Sequence, residues 1–347
     1  MAKQSLLATD GAEKRPWGVA GPLRLPDDVK AKLSVLYIAK HALAGGAFDI
    51  RDGSHAVYHH SIRKVLESIG VRVVADDNFE AIGSTKNINY LFSLLNRADF
   101  FNSEVLAATL AERFALPYLG ARPILRAVSD DKHFTKLLAR DAAVPTPEWS
   151  LVHRGVPYDI DTLIGVPAVV KPNNSSASWG LKVCTSIAEL KDHIDYLHTE
   201  GHDALIERLV PGLDVAVSII GPGPAWTLPL VIQSIGDDGA VISYEAKRGF
   251  AKDIDIRPFE EKAISNELTL ATAAICQRLG PFDYGRFDFR VDVKTGRWHF
   301  LEANVSCNLA ENKAIAKSAA MVDVSHAELV ETILVHSLQR NRFLITD

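Results

Sequence analysis

Two carboxylates and an amide near the C-terminus carry the clearest chemistry in this chain. Asp288 lies in Gly285-Arg286-Phe287-Asp288-Phe289, and Glu302 and Asn304 lie in Leu301-Glu302-Ala303-Asn304. The two stretches read as a β-hairpin. Phe287, Phe289, Val291 and Val293 alternate with Arg286, Asp288, Arg290 and Asp292, the period expected of a strand with one buried face. Lys294-Thr295-Gly296 suits a hairpin loop with glycine in the left-handed position, closed by the pair Val293 and Arg297. Counting back from that pair sets Asp288 opposite Glu302 and Arg286 opposite Asn304, on the face away from the phenylalanines. Like charges directly across a strand pair cost about 0.2–1 kcal/mol unless a cation lies between them. So few oxygen ligands favour Mg2+, with Mn2+ as the alternative, because such an ion keeps waters and takes phosphate oxygens as further ligands. Taken alone, the same charges fit a solvated face equally well.

Other candidates are less specific. Lys171 ends the apolar strand of residues 167–172 and precedes a small-residue loop, 173–180. A lysine beside such a loop can hold phosphate, although a polar surface hairpin is the plainer reading. Ser129 reads as the N-cap of a helix through Arg140, with Asp130 and Asp131 in its first turn. His55 and His59 share a helix face near His60, but no third ligand has suitable spacing. They read as solvated or substrate-facing residues rather than a metal site.

At 347 residues the chain divides into two or three units. Its 47% hydrophobic and 23% charged residues fit a soluble α/β protein, and a net charge of -5 gives no reason to expect nucleic acid as partner. Cys184, Cys276 and Cys307 are odd in number and form no CxxC pair, which suits a reducing compartment. No apolar run reaches the length of a membrane span and no leader pattern opens the chain, so the expected location is the cytoplasm. GxxxxGK[ST], GxSxG and HExxH are all missing, and Gly221-Pro222-Gly223 lacks the third glycine of a dinucleotide fingerprint.

The elements that must position these residues follow in order. Residues 1–32 read as an extension without periodic pattern. A strand at 34–38, a helix at 54–70 and a strand at 71–74 form a unit of the kind that builds parallel sheets. Helical stretches at 87–96 and 103–114 complete a first domain, 33–128. The pattern turns from helical to mostly β near residues 204–220, and a connection between domains suits a nucleotide. A helix at 266–279 closed by Gly280 precedes the hairpin, 309–320 reads as helical, and a helix at 328–338 ends the chain.

Together these residues resemble the ATP-grasp carboxylate-amine ligases, most closely the D-alanine–D-alanine ligase branch. The resemblance rests on ordered motifs: Asp131-Lys132 through Leu138, Val144-Pro145-Thr146-Pro147, Val169-Val170-Lys171-Pro172, Ile206-Glu207, Tyr244-Glu245-Ala246-Lys247, and the two hairpin strands. It covers about residues 117–340. It implies an α/β chain of three domains: an N-terminal α/β substrate domain, a central lid at 129–208, and a mainly antiparallel catalytic domain at 209–347. It further implies that Lys132, Lys171 and Lys247 contact ATP phosphates, with Lys247 also near the second substrate. Glu207 would meet the adenine amino group, and Asp214, where the family usually has Glu, the ribose hydroxyls. Asp288, Glu302 and Asn304 would bind Mg2+, and Arg286 would stabilise the transition state. The family is commonly dimeric, which implies a homodimer.

The resemblance also implies a reaction, in which a small-molecule carboxylate is phosphorylated by ATP and the acyl phosphate is then attacked by an amine, releasing ADP and phosphate. Three departures bear on substrate. Trp179 enters the lid loop as Ser176-Ala177-Ser178-Trp179. Asn304-Val305-Ser306-Cys307-Asn308 replaces the family's Asn-Thr-x-Pro-Gly. The N-terminal Gly-Gly motif with Ser and Glu is not recoverable around Gly45-Gly46. These favour substrates other than two D-alanines. A true D-alanine–D-alanine ligase and an inactive nucleotide-binding protein are the alternatives. Counting on from Asn304 puts Asn308 and Lys313 near the second substrate.

Overall fold

The computed structural model describes residues 21–96, 103–221, 226–236 and 254–343. Three sheets organise them. The first is parallel, with strand order Arg72–Asp76, Ser34–Ile38, Tyr90–Ser93. Its central strand is buried along its whole length, as a parallel strand covered on both faces must be. The helix His55–Ile69 crosses between the first two strands and buries Ile62, Leu66 and Ile69 at helical spacing. Gly70 ends it at φ 92°, a left-handed value that favours glycine.

Residues 87–96 are not the expected helix. Tyr90–Ser93 is a strand with every residue buried, and a short continuous apolar run looks the same in a buried strand as in a buried helix. The stretch 103–114 behaves as expected, with a short turn at Ser103–Val105 and a helix at Leu106–Arg113. The described part of the N-terminal extension is also more ordered than its pattern implied. It forms the helix Asp27–Lys32, and Arg24 pairs with Glu328 and Glu331 of the last helix, His326–Arg340, at 2.6 and 2.7 Å. That helix packs Leu329, Ile333 and Leu334 into one core with Tyr37, Leu66 and Phe92.

The second sheet is antiparallel, in the order Trp149–Val152, Ala204–Arg208, Ala168–Pro172, Lys182–Cys184. The helix Ile187–Thr199 covers it, capped by Ser186. The third runs Asp255–Pro258, Val231–Ser234, Leu213–Ile220, Tyr284–Asp292, Arg297–Asn304, with Trp226–Thr227 also against Leu213–Ile220. Its buried face, Val217, Phe287, Phe289 and Val291, packs on Leu268 and Ile275 of the helix Lys262–Leu279. This is the mixed α/β class with an antiparallel C-terminal sheet that the motifs implied.

Between the first two sheets the chain makes two helices where one was expected. Pro123 at its first turn starts a helix that runs through Asp130, across residues 128 and 129. The next, Lys132–Asp141, is capped by Asp131, whose side chain accepts from the Phe134 N–H. Ser129 is therefore not a cap; its hydroxyl donates to the Ala303 carbonyl at 2.6 Å. Residues 309–320 are helical only over Ala314–Ala320. Among the described residues no helix is long and apolar enough to cross a membrane.

Candidate active site

The hairpin pairs Asp288 with Glu302 and Arg286 with Asn304, as counted, but the count itself is wrong. The turn has four residues, 293–296, and is closed by Asp292 and Arg297 rather than by Val293 and Arg297. Asp292 holds it by accepting from the Lys294 N–H and the Thr295 hydroxyl, and Val293 is left 38% exposed, outside the strand. A bulge then restores the register: the pairing shifts between Asp288 and Phe289, so Leu301 is the extra residue. An unbroken strand would put Phe300 and Glu302 on one face. The bulge turns Phe300 into the core beside Phe289, ring centroids 5.7 Å apart, and leaves Glu302 lining the cleft.

Arg286 grips Asp288 with two hydrogen bonds, Nε and Nη2 each at 2.7 Å. Burial alone would lower the guanidinium's pKa; Asp288 reverses this and raises it, so the arginine is permanently charged. The Asn304 amide lies 3.2 Å from Glu302 and 3.4 Å from Asp288. Among the described residues no three His, Cys, Asp or Glu side chains could hold a metal between them. The hairpin offers two facing carboxylates and an amide, a hard oxygen set that leaves its other positions to water and phosphate. That set fits a divalent cation bound together with a nucleotide.

The cleft beside the hairpin has about 1000 Å³ of empty space including its open mouth, and it brings Lys132, Lys171, Glu207, Asp214, Asp288 and Glu302 together. Val169, Leu209, Val210 and Leu301 add apolar wall, suited to a flat base. Lys132 starts the helix Lys132–Asp141 and Lys171 lies in the second sheet, while Asp288 and Glu302 lie in the third. Lys132 donates to the Ser175 carbonyl at 2.7 Å, and Asn173 locks the loop to the helix start by accepting from the His133 N–H and donating to Asp131. The lid loop turns through Ala177 and Ser178, both left-handed at φ 56° and 59°. Trp179 packs there on His202, 4.9 Å between ring centroids, and lines the cleft.

Two partners of site residues escaped sequence reasoning. Glu207 is held by Lys171 at 2.6 Å on Oε1 and by Lys136 at 2.8 Å on Oε2. Both contacts are ion pairs that take the carboxylate between two ammonium groups. Burial opposes the charge on Glu207, and the two ammonium groups overcome it, holding the carboxyl at about 2. Asp214 pairs with Arg290 at 2.7 Å, and Arg290 also donates to the Val210 carbonyl. Lys136 looked like one more charge on a helix, and Arg290 like a solvated member of the strand's polar face; both are buried.

The remaining candidates fall elsewhere. Lys247 lies outside the described residues. Asn308 accepts from the Ala310 N–H in its own turn, Lys313 is the N-cap residue of Ala314–Ala320, and neither lines the cleft. His59 is not solvated: it is 4% exposed, accepts from the His41 N–H, and is pushed down to about 3 by burial and by His55 and His41. His41 itself pairs with the buried Asp52 at 2.9 Å, as does Lys40 at 2.7 Å.

Comparison with known proteins adds to this geometry. The family model described as "D-ala D-ala ligase C-terminus" matches residues 139–335. A D-alanine–D-alanine ligase of Aquifex aeolicus is 32% identical over 227 residues, 65% of this chain and 75% of that protein. A Sinorhizobium fredii protein, y4sG, is 30% identical over 65% of this chain and 67% of its own length. The crystal structure of a Bacillus anthracis D-alanine–D-alanine ligase complexed with ATP superposes with a TM-score of 0.72 at 17% identity, covering 90% of this chain and 99% of that one.

Proposed function

The chain belongs to the D-ala D-ala ligase C-terminus family, an ATP-dependent ATP-grasp ligase that forms an amide bond, and we propose that it joins a small carboxylate to an amine other than two D-alanines. The observation that carries the nucleotide half is the single cleft lined by Lys132, Lys171, Glu207, Asp214, Asp288 and Glu302. Departures around Trp179, Cys307 and residues 40–54 support the substrate half. We assign residues 33–128 to substrate binding, 129–208 to a lid and 209–347 to catalysis, in a homodimeric cytoplasmic protein.

In this reading Lys132 and Lys171 hold the phosphates, joined by Lys247. Glu207 meets the adenine amino group and Asp214 the ribose hydroxyls. Asp288, Glu302 and Asn304 hold Mg2+, which when bound supplies neutralising charge to the triphosphate. The Asn304 amide nitrogen faces both carboxylates in the structure, so the amide would have to flip to present its oxygen to a bound cation. The substrate carboxylate takes the terminal phosphoryl group, and the amine then adds to the acyl phosphate and expels phosphate. Arg286 faces the oxyanion formed at that addition.

A second reading, true D-alanine–D-alanine ligation, is favoured by the Aquifex aeolicus relative and others of that name. Phosphate release from ATP against a panel of carboxylates and amines, with product mass, decides. Turnover with D-alanine alone at least as fast as with any other pair would replace the first reading by the second. Turnover with none would end both.

A further inference from the structure

Behind the cleft wall lies a cation to which the motifs assign no role. Lys136 has no exposed side-chain surface. Its ammonium lies 2.8 Å from Glu207 Oε2, donates to Thr146 Oγ1 at 2.9 Å and faces the Trp149 ring at 5.6 Å. Thr146 donates in turn to the carbonyl of Phe300, the residue beside the hairpin bulge. Lys136 is thus fixed against both the lid sheet and the catalytic sheet. Burial pulls it down to about 8, against the pull of Glu207, so it is charged at neutral pH. Lys171, Glu302 and His299 are the other titratable groups close enough to feel it.

A charge count gives the consequence. Lys171 and Glu207 line the cleft, and as an isolated pair they would cancel and present little field to a polyphosphate. With Lys136 behind Glu207, the three side chains carry one surplus positive charge, and Lys171 is the cation among them that lines the cleft. We propose that Lys136 is a positioning residue that neutralises Glu207 from behind, so that Lys171 presents its full charge to the nucleotide phosphates. This rests on the nucleotide site proposed above and names what gives that site its attraction for phosphate.

Calorimetric titration of the full chain with ATP and with adenosine tests it through the ratio of the two affinities. Lys136→Met should weaken ATP by about tenfold or more and leave adenosine within about twofold. Adding Glu207→Gln to Lys136→Met restores the one surplus positive charge, so the double variant should return to within about threefold of the wild-type ratio. Equal loss of ATP and adenosine in Lys136→Met, or no loss, overturns the proposal. So does a ratio in the double variant far below that of the wild type, a comparison that stands even if Lys136→Met alone does not fold. Wild-type protein that binds neither ligand would remove the nucleotide site itself, a separate result.

Discussion

Lys171, Glu207, Asp288 and Glu302 sit on strands whose register fixes them, whereas the residues expected at the substrate end sit on loops held by local hydrogen bonds. Around the cleft, ion pairs join neighbouring strands, Lys171 to Glu207 at 2.6 Å and Arg290 to Asp214 at 2.7 Å, and Lys136 ties its helix to Glu207 at 2.8 Å. At the other end the loop of residues 40–54 folds on itself through Asp49 and Gly53 and is tied down by Asp52 to Lys40 and His41. Gly46, at φ 81°, lies where any Cβ would meet the His60 ring at 2.7 Å. The segment after Asn304 meets this end where the Leu309 N–H donates at 3.1 Å to Tyr58 Oη, on the helix that follows the loop. A sheet transmits one residue's placement to its neighbours, while a loop can be rebuilt without disturbing them. Under the function proposed above, this separation would let the nucleotide cleft be kept while the substrate end changes.

The harshest way to break the strand-built side is to remove one facing carboxylate. Glu302→Gln keeps shape and loses a charge, so turnover should fall by several kcal/mol, about a thousandfold, at millimolar Mg2+. Far-UV circular dichroism should be unchanged. Wild-type kcat in that variant would end the metal assignment. Next comes Arg286→Lys, which keeps the charge and loses the planar fork that grips Asp288. A fall in kcat of about 10²–10³-fold is expected, with ATP affinity within about threefold. An ATP affinity that falls as far as kcat would make the arginine part of the nucleotide pocket instead.

The same contrast governs how much was legible from sequence. Asp288 opposite Glu302 was readable because charged and apolar residues alternate along the first strand. The bulge was readable too, had the second strand been given equal weight. In an unbroken strand Trp298, Phe300 and Glu302 would share a face, a conflict that a bulge at Leu301 resolves. Lys136 was not readable. A lysine four residues after Lys132 looks like an exposed helix charge, and only the Glu207 carboxylate, 71 positions away, explains its burial. Tyr90–Ser93 failed for the opposite reason, since burial on all sides erases periodicity. Loop residues such as Asn308 and Lys313 were placed by counting across a segment where one insertion changes everything.

Acid should separate the two regions further. Glu207, held at about 2, contributes stability that is complete above the ordinary glutamate pKa and fades only as pH falls below about 4.5 toward 2. His59, held at about 3, is neutral when folded but takes a proton near pH 6.5 when unfolded, so its contribution is complete above 6.5 and is lost as pH falls toward 3. Between pH 7 and 5 the wild type should lose about 1–2 kcal/mol more than His59→Gln in urea unfolding. Equal losses in the two proteins would show that His59 is protonated in the folded state.

The smallest effect is reserved for the loop-built side, at Lys313. This residue is half-buried and begins the helix Ala314–Ala320, where its backbone is extended and its side chain makes no cap. We propose that it lies beside the second substrate, where its positive charge favours an anionic group. It follows that one substrate carries a carboxylate, or an additional one, that D-alanine lacks. Lys313→Met keeps the stem and removes the charge. The KM of that substrate should rise about five- to tenfold, the share of one partly screened ion pair, with ATP affinity unchanged because Lys313 does not line the nucleotide cleft. If both substrates keep their wild-type KM values, Lys313 has no part in binding them, and a cation for the substrate carboxylate must be sought on the other loop, at Lys40 or His41.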